Sequence, residues 1–497
     1  MKKYMFICII LGVLSVKSYS QRPPWGDTCN PVLIDIGHVI FYKCDDAVLI
    51  PTPQPQTVDT SYRRIYFIHG LGGSPSAWTR VAEACWNKNL NTSDFHARRC
   101  KTWQNSYFEN GSLAAAADKV GQEVRMIATS DVDMNPNRAI LIGHSQGAMV
   151  GRTMMHLDMV QRPHALPPIG KGYGGFVSVA GPLQGAIILN NHNKITYLAE
   201  NLCKRLAQGI ANQSYFVKII TNLVGLDLSS TTNKFCNIIG KDVLPLFFSK
   251  YYNGITHDYK ACHYAYEDTI IVSDYIHTLN ADTNNINYRN FPKVAFYAVE
   301  PQNNIFWRTV GWIANDPNNE VPFQANSDTK FLQETVAPIH NIIITQASNA
   351  YTKVLDLEKK CKNWSWFFGL YSGQLSAARD SYNGWDKADK WFDEVNNEWQ
   401  EIIGAKRFYL HRQPNGVGVY TIEYLENDGV VLTESARNLP YATNQEVRVF
   451  PNEFRVARGI HKGSSHMQIR NDAGIQEHLE KLFDGKYGPF FKTIKEE

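Results

Sequence analysis

The stretch that decides the reading is RAILIGHSQGAMVGRTMMHLDM, Arg138 to Met159. Ala139 to Ile142 is a short apolar run, and Ala148 to Met159 is rich in good helix formers. The chain therefore passes from a strand to a helix through Gly143, His144, Ser145, Gln146 and Gly147, which fit G-x-S-x-G. Average glycine and serine usage would give this pattern by chance roughly 0.2 times in such a chain, so the pentapeptide alone says little. Its setting says more. On a sharp strand-to-helix turn, a side chain at either flanking position would collide with neighbouring backbone, which accounts for a glycine on both sides. The turn also exposes the hydroxyl at a helix N-terminus, where backbone N–H groups favour developing negative charge. Ser145 is the candidate nucleophile.

Working outward, Arg63 to His69 is an apolar, β-favouring segment that runs into Gly70, Leu71, Gly72 and Gly73, as a buried strand meets a tight loop. Residues 76–89 have helical spacing, Ser112 to Ser130 is an Ala-rich helix, and Gly175 to Val179 is another strand. Strands alternating with helices at this spacing predict a mostly parallel central sheet flanked by helices. The alternation stops after Gly185 and resumes at the strand Val294 to Val299. The expected organisation is a signal segment at 1–20, the first part of the core at 21–185 and a cap insertion at 186–290. A core strand at 291–301, a second helical insertion at 302–415 and the last part of the core at 416–497 complete it. Within the second insertion, Leu332 to Leu357 and Trp385 to Ile402 each repeat apolar residues every three or four positions, so each predicts a helix with one apolar face. Between them, Trp364, Trp366, Phe367, Phe368 and Tyr371 are candidates for an aromatic lid tip in transient contact with a lipid surface; the alternative is a plain helical hairpin packed on the body.

Composition narrows the class. The 497 residues are 44% hydrophobic and 20% charged, enough for a sizeable core, and the interspersed net charge of +3 leaves no footprint for nucleic acid. Lys2 and Lys3 precede an apolar run from Met5 to Leu14, with Ser18 and Ser20 at the small-residue positions of a cleavage site. The run is shorter than the roughly 20 residues that span a bilayer, so the expectation is export, to the periplasm or beyond, with cleavage before Gln21. Eight cysteines then remain, an even and scattered set that predicts disulfides rather than a metal site. Neighbours in sequence suggest Cys29 with Cys44, Cys85 with Cys100 and Cys203 with Cys236, which leaves Cys262 for Cys361.

A serine hydroxyl needs a base to take its proton as it attacks. With a nucleophile on this kind of turn, the acid and then the histidine follow later in the chain. His461, His466 and His478 are available, and His466 lies in a plausible loop before the final helix. Asp428 is the best candidate for the acid, because Gly429 allows a tight bend after the carboxylate; Glu300, ending the strand Val294 to Val299, competes. The oxyanion donors map to the N–H groups of Leu71 and Gln146.

Taken together, HGLGG at His69–Gly73, GHSQG at Gly143–Gly147, SVAGPLQG at Ser178–Gly185, NDGVV at Asn427–Val431 and SHMQ at Ser465–Gln468 resemble the secreted bacterial lipase and esterase branch of the α/β-hydrolase superfamily. The resemblance spans roughly residues 62–185 and 420–480, the body without the insertions. It implies the α/β-hydrolase fold, a triad of Ser145, Asp428 and His466, and acyl transfer to water that needs no cofactor. The expected substrate is a lipid ester or other small-molecule ester, with a short-chain or sugar ester as rival. Transfer to an alcohol, and a catalytically silent binding protein on the same scaffold, are the further alternatives. One departure bears on the lipase expectation: where lipases commonly carry T-x-x-x-P-H-x-G, Leu183 stands in place of the histidine. Some relatives bind a structural calcium near the histidine, and Asp472 is close by without a matching ligand set.

Overall fold

The computed structural model describes residues 29–36, 39–44, 63–71, 100–105, 111–130, 137, 139–163, 170–211, 236–237, 255–263, 270–300, 305–306, 309, 337–363, 368–412, 416, 418–447, 454–456, 459–461, 466–467, 469–471 and 473–491. The segment 1–20, the helix expected at 76–89, Gly72 and Gly73, three of the lid-tip aromatics (Trp364, Trp366 and Phe367) and Asp472 lie outside them.

Among the described residues, eight strands form the central sheet: β1 (Cys29–Ile36), β2 (Val39–Cys44), β3 (Arg63–Ile68), β4 (Cys100–Asn105), β5 (Ile140–His144), β6 (Gly175–Val179), β7 (Lys293–Ala298) and β8 (Thr443–Val447). Their spatial order is β1-β2-β4-β3-β5-β6-β7-β8. The six strands from β4 to β8 pair in parallel, and β1 and β2 add an antiparallel edge. The central strands read as unbroken apolar runs because both faces are covered. Ile65, Phe67, Ile140, Ile142, Val177 and Phe296 face one cluster, into which α6 (Ala473–Phe483) delivers Ile475, Leu479 and Leu482. Tyr66, Ile68, Leu141 and Phe176 face the other, shared with α1 (Leu113–Ser130) and α2 (Gln146–His156).

The helix expected to run to Met159 ends as α2 at His156 and continues as a π-turn, Leu157–Gln161, closed by the Arg162 N–H on the Leu157 carbonyl. The extra residue turns Asp158 inward, where Arg125 (3.1 Å) and the Tyr173 hydroxyl (3.0 Å) meet its carboxyl group.

Residues 186–290 contribute α3 (His192–Ala211), a small hairpin of Ala261–His263 with Ile270–Val272, and a helix Asp274–Ala281. Residues 302–415 contribute two long helices, α4 (Ala337–Asn363) and α5 (Phe368–Ile402), packed along one another. The 35 residues of α5 extend well beyond the apolar stripe from Trp385, reaching roughly 50 Å. Leu375 and Ala378 in the added part meet Val354, Leu357 and Cys361 of α4, with Tyr371 packed against them. The expected boundary at residue 415 falls between two strands that pair with each other, Lys406–Arg412 and Gly418–Tyr424.

Cys29 and Cys44 stand opposite each other in the β1–β2 register. Cys236 is disulfide-bonded, with a partner outside the described side chains. The expected bridge between Cys262 and Cys361 is not formed, and both are free thiols. The reason is packing: Cys361 is buried in the cluster between α4 and α5, whereas Cys262 lies on the small hairpin of the other insertion. Bridging needs the two Cα atoms within about 7 Å.

Candidate active site

The site is built where β5 turns into α2. Ser145 has φ 52° and ψ −122°, a backbone state that costs a non-glycine residue about 1–3 kcal/mol. The strained turn is tied down by Ser145 N–H on the Val179 carbonyl and by Ala148 N–H on the Ser145 carbonyl, both 3.0 Å. Neighbouring backbone requires the two flanking glycines. A Cβ on Gly143 would lie 2.4 Å from the Gly147 carbonyl oxygen, and one on Gly147 would lie 2.2 Å from that of Ile68.

The candidate base and acid arrive from the last part of the chain. Asp428 sits in a tight bend whose next residue, Gly429, has φ 94°. Its Oδ1 accepts the Val430 and Val431 N–H groups at 3.0 and 2.8 Å. Its Oδ2 lies 2.8 Å from His466 Nδ1, and His466 Nε2 lies 2.8 Å from Ser145 Oγ. The structure thus brings Ser145, His466 and Asp428 into one hydrogen-bonded row, with the acid and the imidazole both buried. Because a carboxylate can only accept, His466 Nδ1 carries the proton and Nε2 is free to take one from the serine. Leu71 lines the cleft beside Ser145 and Gly70. Gln146 is fully buried at the first position of α2, its side-chain oxygen accepting the Tyr259 hydroxyl at 2.7 Å.

The rival residues lie elsewhere. The Glu300 N–H donates to the Asn427 carbonyl, so the end of β7 abuts the acid loop while His466 turns to Asp428. His478 pairs through Nδ1 with the Tyr487 hydroxyl at 2.6 Å. His461 is on the short strand Gly459–His461, and its side chain is outside the described set. Leu183 is fully buried, and its carbonyl accepts from Arg152, so this position belongs to the core. Among the described residues, no group of three histidine, cysteine or acidic side chains is placed to hold a metal ion.

Around the row lies an apolar cleft, walled by Pro182, Ile188, Leu189, Val430, Val431 and Met467. Arg470 also lines it, and its charge adds to the burial that keeps two further histidines neutral. His69 is lowered to about 4, chiefly by burial and against its bond to the Gly70 carbonyl. Burial likewise holds His144 well below the ordinary imidazole range, with His466 and Arg470 adding to the effect. His144, Tyr259 and Arg470 are site residues that motif reading passed over. The place of His144 beside the nucleophile was the one signal available for any of them.

A strand-elbow-helix at the middle of a mostly parallel, helix-flanked sheet defines the α/β-hydrolase fold, and this chain has it. No family model and no curated protein sequence matches the chain. Among solved structures it is similar to a mature lipase from Bacillus licheniformis, at 11% identity over 58% of this chain and 94% of that one, with a TM-score of 0.28. It is also similar to an extracellular α/β-hydrolase from a Paenibacillus species (14% identity, 47% and 76% covered, TM-score 0.21). A thioesterase domain from the curacin biosynthetic pathway is a third (12%, 54% and 83%, TM-score 0.23).

Proposed function

We propose that the protein is an exported serine hydrolase of carboxylic esters, acting on acyl lipids or similar apolar esters. The observation that carries this reading is the unbroken row from Asp428 Oδ2 through the His466 ring to Ser145 Oγ, two contacts of 2.8 Å at the strained elbow. In the first step Ser145 Oγ bonds to the ester carbonyl carbon while its proton passes to His466 Nε2, and the N–H groups of Leu71 and Gln146 hold the oxyanion. The C–O bond to the alcohol then breaks, and His466 returns the proton to the leaving oxygen. Water, activated by the same imidazole, releases the acid and restores the serine. Asp428 keeps the imidazole in the productive tautomer and stabilises its cation. The apolar wall of the cleft favours an alkyl acyl group over a polar one. Export rests on the sequence of residues 1–20.

The test is hydrolysis of p-nitrophenyl esters from acetyl to palmitoyl by protein lacking residues 1–20, beside Ser145→Ala. Turnover that disappears in the variant is the expected result, and the preferred chain length sorts a lipase from a short-chain esterase. Turnover equal in both proteins overturns the serine mechanism, and none on any ester overturns the esterase reading and favours a silent binding protein.

A further inference from the structure

His466 has four polar atoms, and all four are engaged. Its N–H donates to the Asp428 carbonyl at 2.8 Å and its Nδ1 meets Asp428 Oδ2, so both of these fix the base relative to the acid loop. Its Nε2 meets Ser145 Oγ, the contact that must make and break during turnover. The fourth atom, the main-chain carbonyl oxygen, lies 2.8 Å from His144 Nε2. A carbonyl can only accept, so His144 Nε2 carries a hydrogen and donates it. The two rings lie 5.1 Å apart, and His144 is buried against Gly70, where a Cβ would come within 3.0 Å of its Nδ1. His144 immediately precedes the nucleophile on β5, so this bond joins the elbow directly to the main chain of the base.

Building on the triad reading above, we propose that His144 is a positioning residue. Its donated hydrogen bond to the His466 carbonyl sets the spacing between base and nucleophile. The acid loop anchors His466 through its N–H and Nδ1, and the bond from His144 ties the same residue to the elbow through an atom that takes no part in the proton transfer. Burial keeps the His144 ring neutral, and with Nε2 facing a carbonyl the ring hydrogen sits on that nitrogen, so the bond is donated by a neutral imidazole. Displacement of a reacting group by about 1 Å can cost on the order of 100-fold in rate.

The experiment uses a fluorophosphonate probe, whose capture requires Ser145 Oγ to bond to phosphorus as fluoride leaves and the serine proton passes to His466. Labelling rates are compared for wild type, Ser145→Ala, His144→Gln, His144→Asn and His144→Leu, each with its thermal unfolding curve. A glutamine amide nitrogen stands as many bonds from Cβ as histidine Nε2 and can restore the donor; an asparagine nitrogen stands one bond short. The expected result is a glutamine variant within a few-fold of wild type, and asparagine and leucine variants slower on the order of 100-fold. Should the leucine variant fail to fold, the comparison of glutamine with asparagine carries the test. Equal rates for those two variants, fast or slow, overturn the proposal, because ring shape or nothing at all would then matter. A wild type that is not labelled, or a Ser145→Ala protein that is, fails the triad reading itself and takes the proposal with it.

Discussion

Replacing Asp428 by asparagine probes the row at the atom level. Three donors converge on the carboxyl group: the Val430 and Val431 N–H groups on Oδ1, and His466 Nδ1–H on Oδ2. An asparagine that keeps its oxygen for the two backbone donors must present its NH2 to the imidazole. Nδ1 then becomes the acceptor, the ring proton moves to Nε2, and that nitrogen can no longer take the serine proton. The flipped amide would turn its NH2 on the buried Val431 N–H and the half-buried Val430 N–H, at about 1–3 kcal/mol for the buried one left unmet. The wrong tautomer therefore wins. A change of this kind lowers turnover about 10⁴-fold, or about 5.4 kcal/mol of transition-state stabilisation. The assay is kcat/KM on the best p-nitrophenyl ester for wild type and variant, with thermal unfolding to confirm that the variant is folded. A folded Asp428→Asn protein within tenfold of wild type would refute the assignment. Should Glu300→Gln show the large loss in its place, the acid is Glu300.

Two other outcomes follow from packing and burial. Gly147→Ala would place a methyl group 2.2 and 2.5 Å from the carbonyl oxygens of Ile68 and His69, backbone on both counts. Side-chain rotation offers no relief, so a loss of about 3 kcal/mol is expected, read as a lower denaturant midpoint; a wild-type midpoint would contradict the close approach. His69, at about 4 when folded against 6.5 in the free side chain, refuses a proton that the unfolded chain takes up. Unfolded protein therefore binds more protons across this window, and stability falls as pH drops from about 6.5 towards about 4, by up to about 3 kcal/mol from this buried group. Denaturant unfolding at about pH 7 and about pH 4.5 measures the loss, which His69→Gln should reduce; an unchanged slope in that variant would count against it.

The parts of this molecule that sequence made legible are those where local chemistry and tertiary demand coincide. Strands β3, β5, β6 and β7 are apolar on both faces, so period and composition found them within a residue or two. Gly143 and Gly147 are read correctly as glycines that backbone crowding requires, and the distances above give the crowding. Where an outcome depends on partners far along the chain, local signals fail. The inward turn of Asp158 depends on Arg125 and Tyr173, so nothing within 148–159 announced a π-turn. Cysteine spacing paired Cys262 with Cys361 by elimination, yet spacing carries no information on which cluster each thiol packs into. The bond from His144 to the His466 carbonyl spans more than three hundred residues and uses a main-chain acceptor, which no motif encodes.

Each of the two insertions braces a residue next to the row of Ser145, His466 and Asp428. Tyr259, in the cap insertion, donates its hydroxyl to the side chain of Gln146, the residue whose N–H is assigned to the oxyanion. Trp399, fully buried near the end of α5, donates its indole N–H to the Gly429 carbonyl at 2.9 Å, one residue after the acid. Phe306 packs edge-on against that indole at 5.5 Å, so the brace itself is held in place. The same insertion that supplies Tyr259 also supplies Ile188 and Leu189 to the cleft wall. Under the proposed roles, a substitution in the cap that reshapes the cleft wall therefore also bears on Gln146, and one at Trp399 bears on the bend after Asp428. Under those same roles, specificity and rate meet in the cap, which supplies Tyr259 together with Ile188 and Leu189, while Trp399 of α5 braces the bend after Asp428.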